Sequence, residues 1–285
     1  MKKIILYFSI TILFQIYSNQ IFAQIKFTQE DKRIFDSVVM VLNQKQAKNL
    51  SVQELILFTG KIFLGKPYVA NTLEGNDPEQ VVINLRQFDC VTFVENTLAI
   101  ALLVKENALT FDNFCKKIEF IRYRNGKNIG YQSRLHYFAE WIYNNENKNI
   151  LQDITKTIGG ETYKKNINYM SQHPAQYTVL QKHTELVDSM KIIENNINLH
   201  SFSYVPKQKV NAVANKIQTG DIIGITINHA NLDMAHTGIA VVQNKKLLLL
   251  HASLDKKKVV LSEVSLHDYL QPKKHQTGIM VTRMK

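Results

Sequence analysis

The hydrophobic period of this 285-residue chain changes once along its length, and that change limits the folds it can adopt. Up to about residue 200 the apolar residues recur mainly at helical spacing, whereas beyond Ser201 they alternate with a period of two. Helices followed by a run of antiparallel strands predict an α+β fold in which a helix packs on a meander. Short strands are predicted at 221–227, 236–242, 247–252, 258–263 and 277–283.

Local signals place the boundaries of the helices in the first part of the chain. The segment Ser51–Glu54 has the sequence of a capping box, which opens a helix. Asp89 is a good N-cap residue, and it predicts a helix that starts at Cys90. From about 105 to 200 the chain is mostly helical and polar. We therefore expect a single domain over residues 24–285, with a helical insertion at about 105–200.

The first 23 residues differ in character from the rest. Lys2 and Lys3 precede an apolar run from Ile4 to Ile16, and Ala23 is a plausible last residue before cleavage. This pattern predicts a secretory signal peptide at 1–23 and an exported protein, periplasmic or secreted. The apolar run is shorter than the roughly 20 residues that a membrane-spanning helix needs. We expect no stable membrane insertion once the signal is removed.

The charge balance is basic, with a formal net charge of +11 that falls to +9 without Lys2 and Lys3. A basic exported protein suits an anionic partner such as a cell wall, a phospholipid surface or a nucleic acid. The chain has no run of lysine and arginine interleaved with aromatic residues, so nucleic acid is not the predicted partner.

The two cysteines have different settings, although a single disulfide between them is formally possible. Cys115 falls on an apolar stripe of a predicted helix, which indicates a buried, unreactive thiol. Cys90 lies in the first turn of its helix, near unpaired backbone N–H groups and the positive end of the helix dipole. Both features favour the thiolate, so Cys90 is a candidate nucleophile, although its position alone fits a small core residue at a helix start slightly better.

A general base for Cys90 is expected among the histidines of the strand region. A hairpin turning at Gln243–Asn244 would set His236 directly opposite His251 on one face of the sheet. His236 could then face Cys90 while His251 fixes its tautomer. His229 could complete a three-histidine zinc site, but the spacing matches no familiar zinc motif. Neither a metal nor another cofactor is predicted.

Several motifs, taken in order, resemble the NlpC-type cysteine peptidases. Those motifs are Leu64-Gly-Lys-Pro-Tyr-Val69, Asp89-Cys90, Thr219-Gly-Asp-Ile222, His236-Thr-Gly-Ile-Ala-Val241 and His251-Ala-Ser253. The resemblance implies a papain-like fold, with the nucleophile helix packed on an antiparallel sheet. Many members have Asp-Cys-Ser-Gly where this chain has Asp89-Cys-Val-Thr92. That difference, the long insertion and the segment Tyr131–Tyr137 resemble a branch described as N-acetylmuramoyl-L-alanine amidase-like.

The resemblance also implies roles for individual residues. Cys90 would attack an amide carbonyl, His236 would carry the proton, and His251 would orient His236. The backbone N–H of Cys90 is a candidate oxyanion donor. The residues expected to contact substrate fall in three places: Tyr68 and Asp89 beside the nucleophile, Arg134, His136, Tyr137 and Trp141 in the insertion, and Asp233 before the His236 strand. Helix packing is the alternative for the aromatic residues, and fixing the start of that strand is the alternative for Asp233.

The implied activity is cleavage of the amide between the muramic acid lactyl group and L-Ala in peptidoglycan or muropeptide fragments. Three alternatives stay open from the sequence. One is an endopeptidase of the same fold that cuts between D-Glu and the diamino acid. The second is a non-catalytic cell-wall-binding module, and the third is the zinc-dependent hydrolase. The sequence makes no prediction of the oligomeric state.

Overall fold

A computed structural model of the chain describes residues 24–285. The predicted signal peptide at 1–23 lies outside these residues. Within the described part, no helix is long and apolar enough to cross a membrane.

Eleven α-helices occur in residues 24–285, and most of the longer ones precede residue 200. They are α1 (Gln29–Gln44), α2 (Val52–Ile62), α3 (Cys90–Lys105), α4 (Phe111–Arg122), α5 (Phe138–Asn147), α6 (Thr155–Ile158), α7 (Tyr169–Gln172), α8 (Thr178–Lys182), α9 (Glu185–Asn198), α10 (Val210–Val213) and α11 (Leu266–Leu270). The predicted capping box at Ser51 is present, because the Glu54 N–H donates to Ser51 Oγ and the Ser51 N–H to the Glu54 carboxylate.

The strands of the described residues form a small parallel pair and one large antiparallel sheet. They are β1 (Ile25–Lys26), β2 (Val81–Val82), β3 (Leu151–Asp153), β4 (Glu161–Tyr163), β5 (Phe202–Pro206), β6 (Ile222–Ile227), β7 (Met234–Gln243), β8 (Lys246–Ser253), β9 (Lys258–Leu261) and β10 (Gln276–Met284). The large sheet has the order β4-β5-β10-β6-β7-β8-β9, and β3 pairs with the end of β10.

The five strands predicted after Ser201 are present, and the α+β class is confirmed. The meander is only part of the pattern. Strands β6 to β9 follow one another across the sheet, whereas β10 returns to pair with β6 on one side and β5 on the other. Strands that lie far apart in the sequence are therefore neighbours on this side of the sheet.

Helix α3 is packed between the sheet and other helices, and it is buried on all sides rather than along one stripe. Its residues Phe93 and Leu98 share a core with Ile239 of β7 and Leu250 of β8. Gly60 of α2 permits the close approach, since a Cβ there would lie 2.9 Å from the Leu250 side chain. The N-terminus of α3 is consequently fixed relative to β7 and β8.

A second apolar core covers the other face of the sheet, where α6, α10 and α11 pack on residues such as Ala240 and Leu249. A third core lies within the stretch 105–200 and includes residues of α5 and α7 to α9. That stretch is not wholly helical, because β3 and β4 join the large sheet. Helix α4 also packs into the main core through Phe114 and Ile118.

The predicted hairpin turn at Gln243–Asn244 was wrong, because the turn lies one residue later in the chain. Gln243 pairs with Lys246, so the turn residues are Asn244 and Lys245, both with positive φ of 50° and 62°. Such a two-residue turn matches the twist of the strands it joins. His236 and His251 are diagonal neighbours rather than directly opposed. Because the turn lies one residue later than predicted, each residue of β7 pairs with the residue two positions further along β8. A shift of two positions keeps both histidines on the same face of the sheet.

Replacing Lys245 with Gly should raise the free energy of unfolding by up to about 1 kcal/mol, because glycine has no Cβ to oppose a left-handed backbone. Chemical denaturation of both proteins measures the difference. Lys246→Gly is the matched control in the adjoining strand, and it should lower stability by about 0.5–1 kcal/mol. Equal losses from both substitutions would contradict a turn centred on Asn244 and Lys245.

Candidate active site

Cys90 is the first residue of α3, and a local cap holds it there. The Asp89 carboxylate accepts a hydrogen bond from the Thr92 N–H at 2.8 Å, and Thr92 Oγ1 accepts one from the Asp89 N–H at 3.0 Å. This reciprocal capping box fixes where the helix begins. Cys90 is a free thiol at the wall of a cavity of about 330 Å³ that is also lined by His236 and the stretch 134–137.

The ionisation of Cys90 differs from the sequence-based expectation. Burial, with a smaller contribution from the Asp89 carboxylate, raises the pKa of the Cys90 thiol to about 12. The backbone N–H groups of Thr237, Cys90 and Val91 act in the expected direction and lower the pKa, but burial outweighs them. Cys90 is therefore a neutral thiol near a set of backbone donors.

His236 and His251 meet side by side, with His236 Nε2 and His251 Nδ1 2.6 Å apart. Their rings are nearly perpendicular, at 82°. Burial first, then the neighbouring His251 and Lys273, lowers the pKa of His236 to about 3. Burial and Lys273 likewise lower the pKa of His251 to about 4. Both rings are neutral near pH 7, so one of the two bonded nitrogens carries the shared proton.

A proton on His236 Nε2 gives the productive tautomer, because His251 Nδ1 then accepts it and His236 Nδ1 has a free lone pair. Three further residues adjoin this pair. The Tyr269 ring packs edge-on against His251 at 5.4 Å, and the ammonium group of Lys273 lies 5.3 Å from the centre of the Tyr269 ring. Lys273 forms an ion pair with Asp255, whose carboxylate partly offsets the effect of Lys273 on both histidines.

Tyr68 and Asp89 line the cavity beside Cys90, as the sequence predicted. Burial, then the nearby Cys90 and Asp89, raises the pKa of Tyr68 to about 12, so its hydroxyl can donate a hydrogen bond at neutral pH. The second carboxylate oxygen of Asp89 accepts a long bond of 3.4 Å from Thr72. Asp89 therefore combines its capping role with a place in the wall of the cavity.

Arg134 also lines the cavity, but its charge is already compensated. Its guanidinium contacts Glu74 at 2.7 Å and Glu79 at 3.0 Å, and it stacks on the Tyr131 ring at 5.1 Å. The two carboxylates compensate the positive charge that a substrate carboxylate was expected to use, although within residues 24–285 only Nη2 donates a hydrogen bond, to Glu74. Arg134 joins the stretch 131–137 to the loop at 74–79, and this ion-pair network shapes the cavity.

His136 and Tyr137 have different environments despite being adjacent. His136 Nε2 donates to the Tyr131 carbonyl at 2.8 Å, which leaves Nδ1 as an acceptor on a residue of the cavity wall. Burial holds the pKa of His136 well below its usual value, so the ring is neutral. The Tyr137 hydroxyl donates to Glu194 at 2.6 Å and accepts from the Met170 N–H at 2.9 Å. Tyr137 therefore belongs to the third core through its hydroxyl bonds and also lines the cavity.

Asp233 is buried and caps a helix that lies far away in sequence. Its carboxylate accepts a bond of 2.7 Å from the N–H of Ala139, at the start of α5, and its carbonyl accepts one of 2.7 Å from the Tyr163 hydroxyl. Burial raises the pKa of the carboxyl group despite these bonds. Of the two predicted roles, the contacts favour fixing the start of β7 rather than binding substrate.

Three residues near Cys90, namely Glu95, Arg122 and Tyr269, were not predicted as site residues, whereas Trp141 was expected to contact substrate. Glu95 and Arg122 form a buried ion pair at 2.7 Å, and the Trp141 indole donates to Glu95 at 3.2 Å. All three line the cavity. Glu95 lies five residues after Cys90 in α3, so a buried acid in an otherwise apolar helix was the available signal. Tyr269 carried no local signal, because only the fold brings α11 to His251.

The three histidines of the alternative zinc site do not converge. His229 lies in an exposed loop, with its ring against Tyr169 at 5.2 Å, while His236 and His251 bond to each other. Over residues 24–285, no group of three or more His, Cys, Asp or Glu side chains is arranged to hold a metal ion.

The sequence of residues 58–279 matches the family described as AmiA-like, N-acetylmuramoyl-L-alanine amidase-like. A crystal structure of an N-acetylmuramoyl-L-alanine amidase from Bacteroides uniformis is 44% identical, with a TM-score of 0.77 over 82% of this chain and 99% of the other. A crystal structure of a putative xylanase from Bacteroides fragilis is 38% identical, with a TM-score of 0.75 over 80% and 100%.

A more distant structure extends the fold comparison. A protein from Legionella pneumophila is 23% identical, with a TM-score of 0.67 over 89% of this chain and 95% of the other, which shows a shared fold alone. No functionally curated protein matches the chain.

Alkylation of Cys90 by iodoacetamide should accelerate about tenfold for each pH unit from pH 7 to 9, because only the thiolate reacts and the pKa of the thiol lies far above this range. Mass spectrometry of a Cys115→Ala protein isolates the Cys90 rate. His236→Gln should have a similar profile in the absence of substrate. A rate that is already constant between pH 6 and 8 would instead indicate a preformed thiolate paired with a protonated imidazole.

Asp233→Ala should lower the free energy of unfolding by about 1–2 kcal/mol, because α5 loses the acceptor for its first N–H groups. Asp233→Asn retains one acceptor oxygen and should lose less. Denaturation and steady-state kinetics on muropeptides, measured below the unfolding transition, separate the two roles. A large rise in KM for Asp233→Asn at unchanged stability would assign the residue to substrate binding.

Proposed function

The chain belongs to the N-acetylmuramoyl-L-alanine amidase-like family of peptidoglycan hydrolases, and we propose that it is a thiol-dependent amidase with Cys90 as nucleophile. Its substrate would be the amide between the muramic acid lactyl group and L-Ala, in peptidoglycan or muropeptide fragments. The observation that carries the proposal is that the helix-capped Cys90 and His236 line one cavity, while His251 is hydrogen-bonded to His236.

In the first half-reaction, the Cys90 sulfur attacks the amide carbonyl carbon while its proton passes to His236 Nδ1. Because the resting thiol and imidazole are both neutral, the proton moves during the attack and not before it. His251 stabilises the resulting imidazolium by accepting the bond from His236 Nε2. The carbonyl oxygen takes the negative charge, and the Cys90 N–H is the proposed donor to it.

The tetrahedral intermediate then collapses with rupture of the C–N bond. His236 returns its proton to the leaving nitrogen, which departs as the free amine of L-Ala and leaves a thioester on Cys90. A water molecule attacks the thioester carbonyl and gives a proton to His236. The thiolate leaves, is reprotonated by His236, and the lactyl carboxylate is released.

One relative is described as a putative xylanase, which is a glycosidase rather than an amidase. The carboxyl groups of the cavity help to choose between these two activities. A glycosidase needs two carboxyl groups free to act as acid and as base or nucleophile. In the cavity of this chain, each acid already has a structural partner. Asp89 caps α3, Glu95 pairs with Arg122, Glu74 pairs with Arg134, and Asp233 caps α5. A cysteine amidase therefore accounts for the site better than a glycosidase does.

The location belongs to the same proposal. A signal peptide at 1–23 would deliver the enzyme to the periplasm or outside the cell, where peptidoglycan is present. The basic charge of the remaining chain, +9, suits an anionic wall polymer.

Incubation of muropeptides with the chain should release free stem peptides that begin at L-Ala, as identified by mass spectrometry. Cys90→Ala and His236→Ala should each reduce turnover by at least about a thousandfold, since both act in the covalent step. Cys115→Ala is the matched control and should retain most activity, because this buried thiol packs between apolar residues away from the cavity.

Products cut after D-Glu, again dependent on Cys90, would retain the nucleophile and replace the amidase with the endopeptidase. Undiminished activity of Cys90→Ala would refute the cysteine mechanism. Binding of muropeptides without turnover by the intact protein would favour a non-catalytic wall-binding module.

A further inference from the structure

Three loops beside the catalytic residues carry a concentration of lysines, and we call them together the basic rim. The rim comprises residues 64–68, 254–258 and 272–275. Its charged residues are Lys66, Lys256, Lys257, Lys258, Lys273, Lys274 and a single acid, Asp255. With His275 neutral, the net charge of these fourteen positions is +5, which is more than half of the +9 carried by residues 24–285.

Backbone bonds hold these loops together. The Tyr68 N–H donates to the Lys257 carbonyl at 2.9 Å, and the Val259 N–H donates to the Lys66 carbonyl at 2.8 Å. The Asp255–Lys273 ion pair links the second loop to the third. Lys207 donates to the Lys273 carbonyl at 3.3 Å and places a seventh ammonium group at the edge of the rim. The positive charges of the three loops therefore lie together on one surface.

This surface is continuous with the catalytic site. Tyr68 belongs to the rim and also lines the cavity beside Cys90. Asp255 and Lys273 lie close enough to His236 and His251 to influence the pKa of both rings. A polymer lying across the rim would therefore pass next to the nucleophile.

Most of the rim charge is exposed and uncompensated. Residues 254–258 and Lys274 are exposed, and within residues 24–285 the single ion pair of the rim is the one between Lys273 and Asp255. Keeping so many like charges together has an electrostatic cost in a folded protein. An anionic partner that neutralises them would remove this cost.

We propose that the basic rim binds the polyanionic strands of the intact cell wall and retains the enzyme on insoluble peptidoglycan while Cys90 acts on neighbouring amides. The stem peptides of the wall carry repeated carboxylates, and flexible lysines suit such a diffuse array of charges. Arginine forks would instead suit a single carboxylate bound in fixed geometry. The proposal rests on the proposed function for the identity of the polymer.

Nucleic acid and lipid fit the rim less well. Single-stranded nucleic acid is usually bound by exposed aromatic rings among the basic residues, and the one aromatic ring of the rim, Tyr68, is half-buried at the cavity. Leu64 and Leu254 are exposed, at 45% and 53%, but they lie on separate loops and form no amphipathic helix.

Co-sedimentation with purified cell-wall sacculi tests the proposal, using a Cys90→Ala chain so that the polymer is not digested. At low ionic strength this chain should pellet with the sacculi. Adding Lys256→Glu and Lys274→Glu should weaken the apparent affinity roughly tenfold, and about 1 M salt, where the Debye length is about 3 Å, should abolish binding. The matched control is Lys45→Glu with Lys48→Glu, two exposed lysines outside the rim with the same change in net charge.

Unchanged binding of the control, together with the loss in the rim variant, supports the proposal. Equal weakening of both variants would overturn it, since net charge alone would then explain retention. Tighter binding to anionic phospholipid vesicles than to sacculi, lost in the rim variant, would also overturn it and assign the surface to lipid.

Activity on soluble muropeptides separates this inference from the proposed function. With Cys90 intact, the rim variant should cleave soluble fragments at the parental rate and digest insoluble wall more slowly. A parental rate on both substrates would overturn the rim proposal alone. Failure of the parental chain to cleave muropeptides, with rim-dependent sedimentation intact, would refute the proposed catalysis and leave wall binding supported.

Discussion

The cap formed between Asp89 and Thr92 is the contact on which the proposed catalytic arrangement depends. It sets Cys90 as the first residue of α3, with the backbone N–H groups of the first turn close to the sulfur. The rest of α3 is buried against α2, α4 and the sheet, so the cap cannot move independently of β7 and β8. A cysteine one turn later in this helix would face the core instead of the cavity.

Burial, rather than the helix dipole, dominates the ionisation of the proposed catalytic residues Cys90, His236 and His251. The thiol and both histidines are held in their neutral forms, because each charged form would lose solvation that the surrounding groups only partly replace. The proposed mechanism therefore needs proton transfer within the attack itself. In that mechanism His251 would act as a neutral acceptor for the His236 N–H.

The cavity walls are rich in charge, but those charges largely compensate one another. Glu74, Glu79 and Arg134 form one network, and Glu95 and Arg122 form another that also holds Trp141. Such buried pairs add little to stability. Removing one partner is nevertheless strongly destabilising, because the other charge is then buried and unpaired. Uncompensated positive charge lies outside the cavity on the basic rim, so the proposed attraction of the wall polymer would come from a different part of the surface than the proposed chemistry.

Features governed by contacts within a few residues were determined by the sequence alone. The start of α3 at Cys90, the capping box at Ser51 and the five late strands follow from side-chain hydrogen bonds across three residues and from alternation of apolar side chains. Tertiary structure decided what depends on distant partners. The hairpin register made the histidines diagonal neighbours, Glu74 reached Arg134 across 60 residues, and Asp233 capped α5 across 94. The raised pKa of Cys90 belongs with these, because desolvation is set by everything packed around the sulfur and not by its place in the helix.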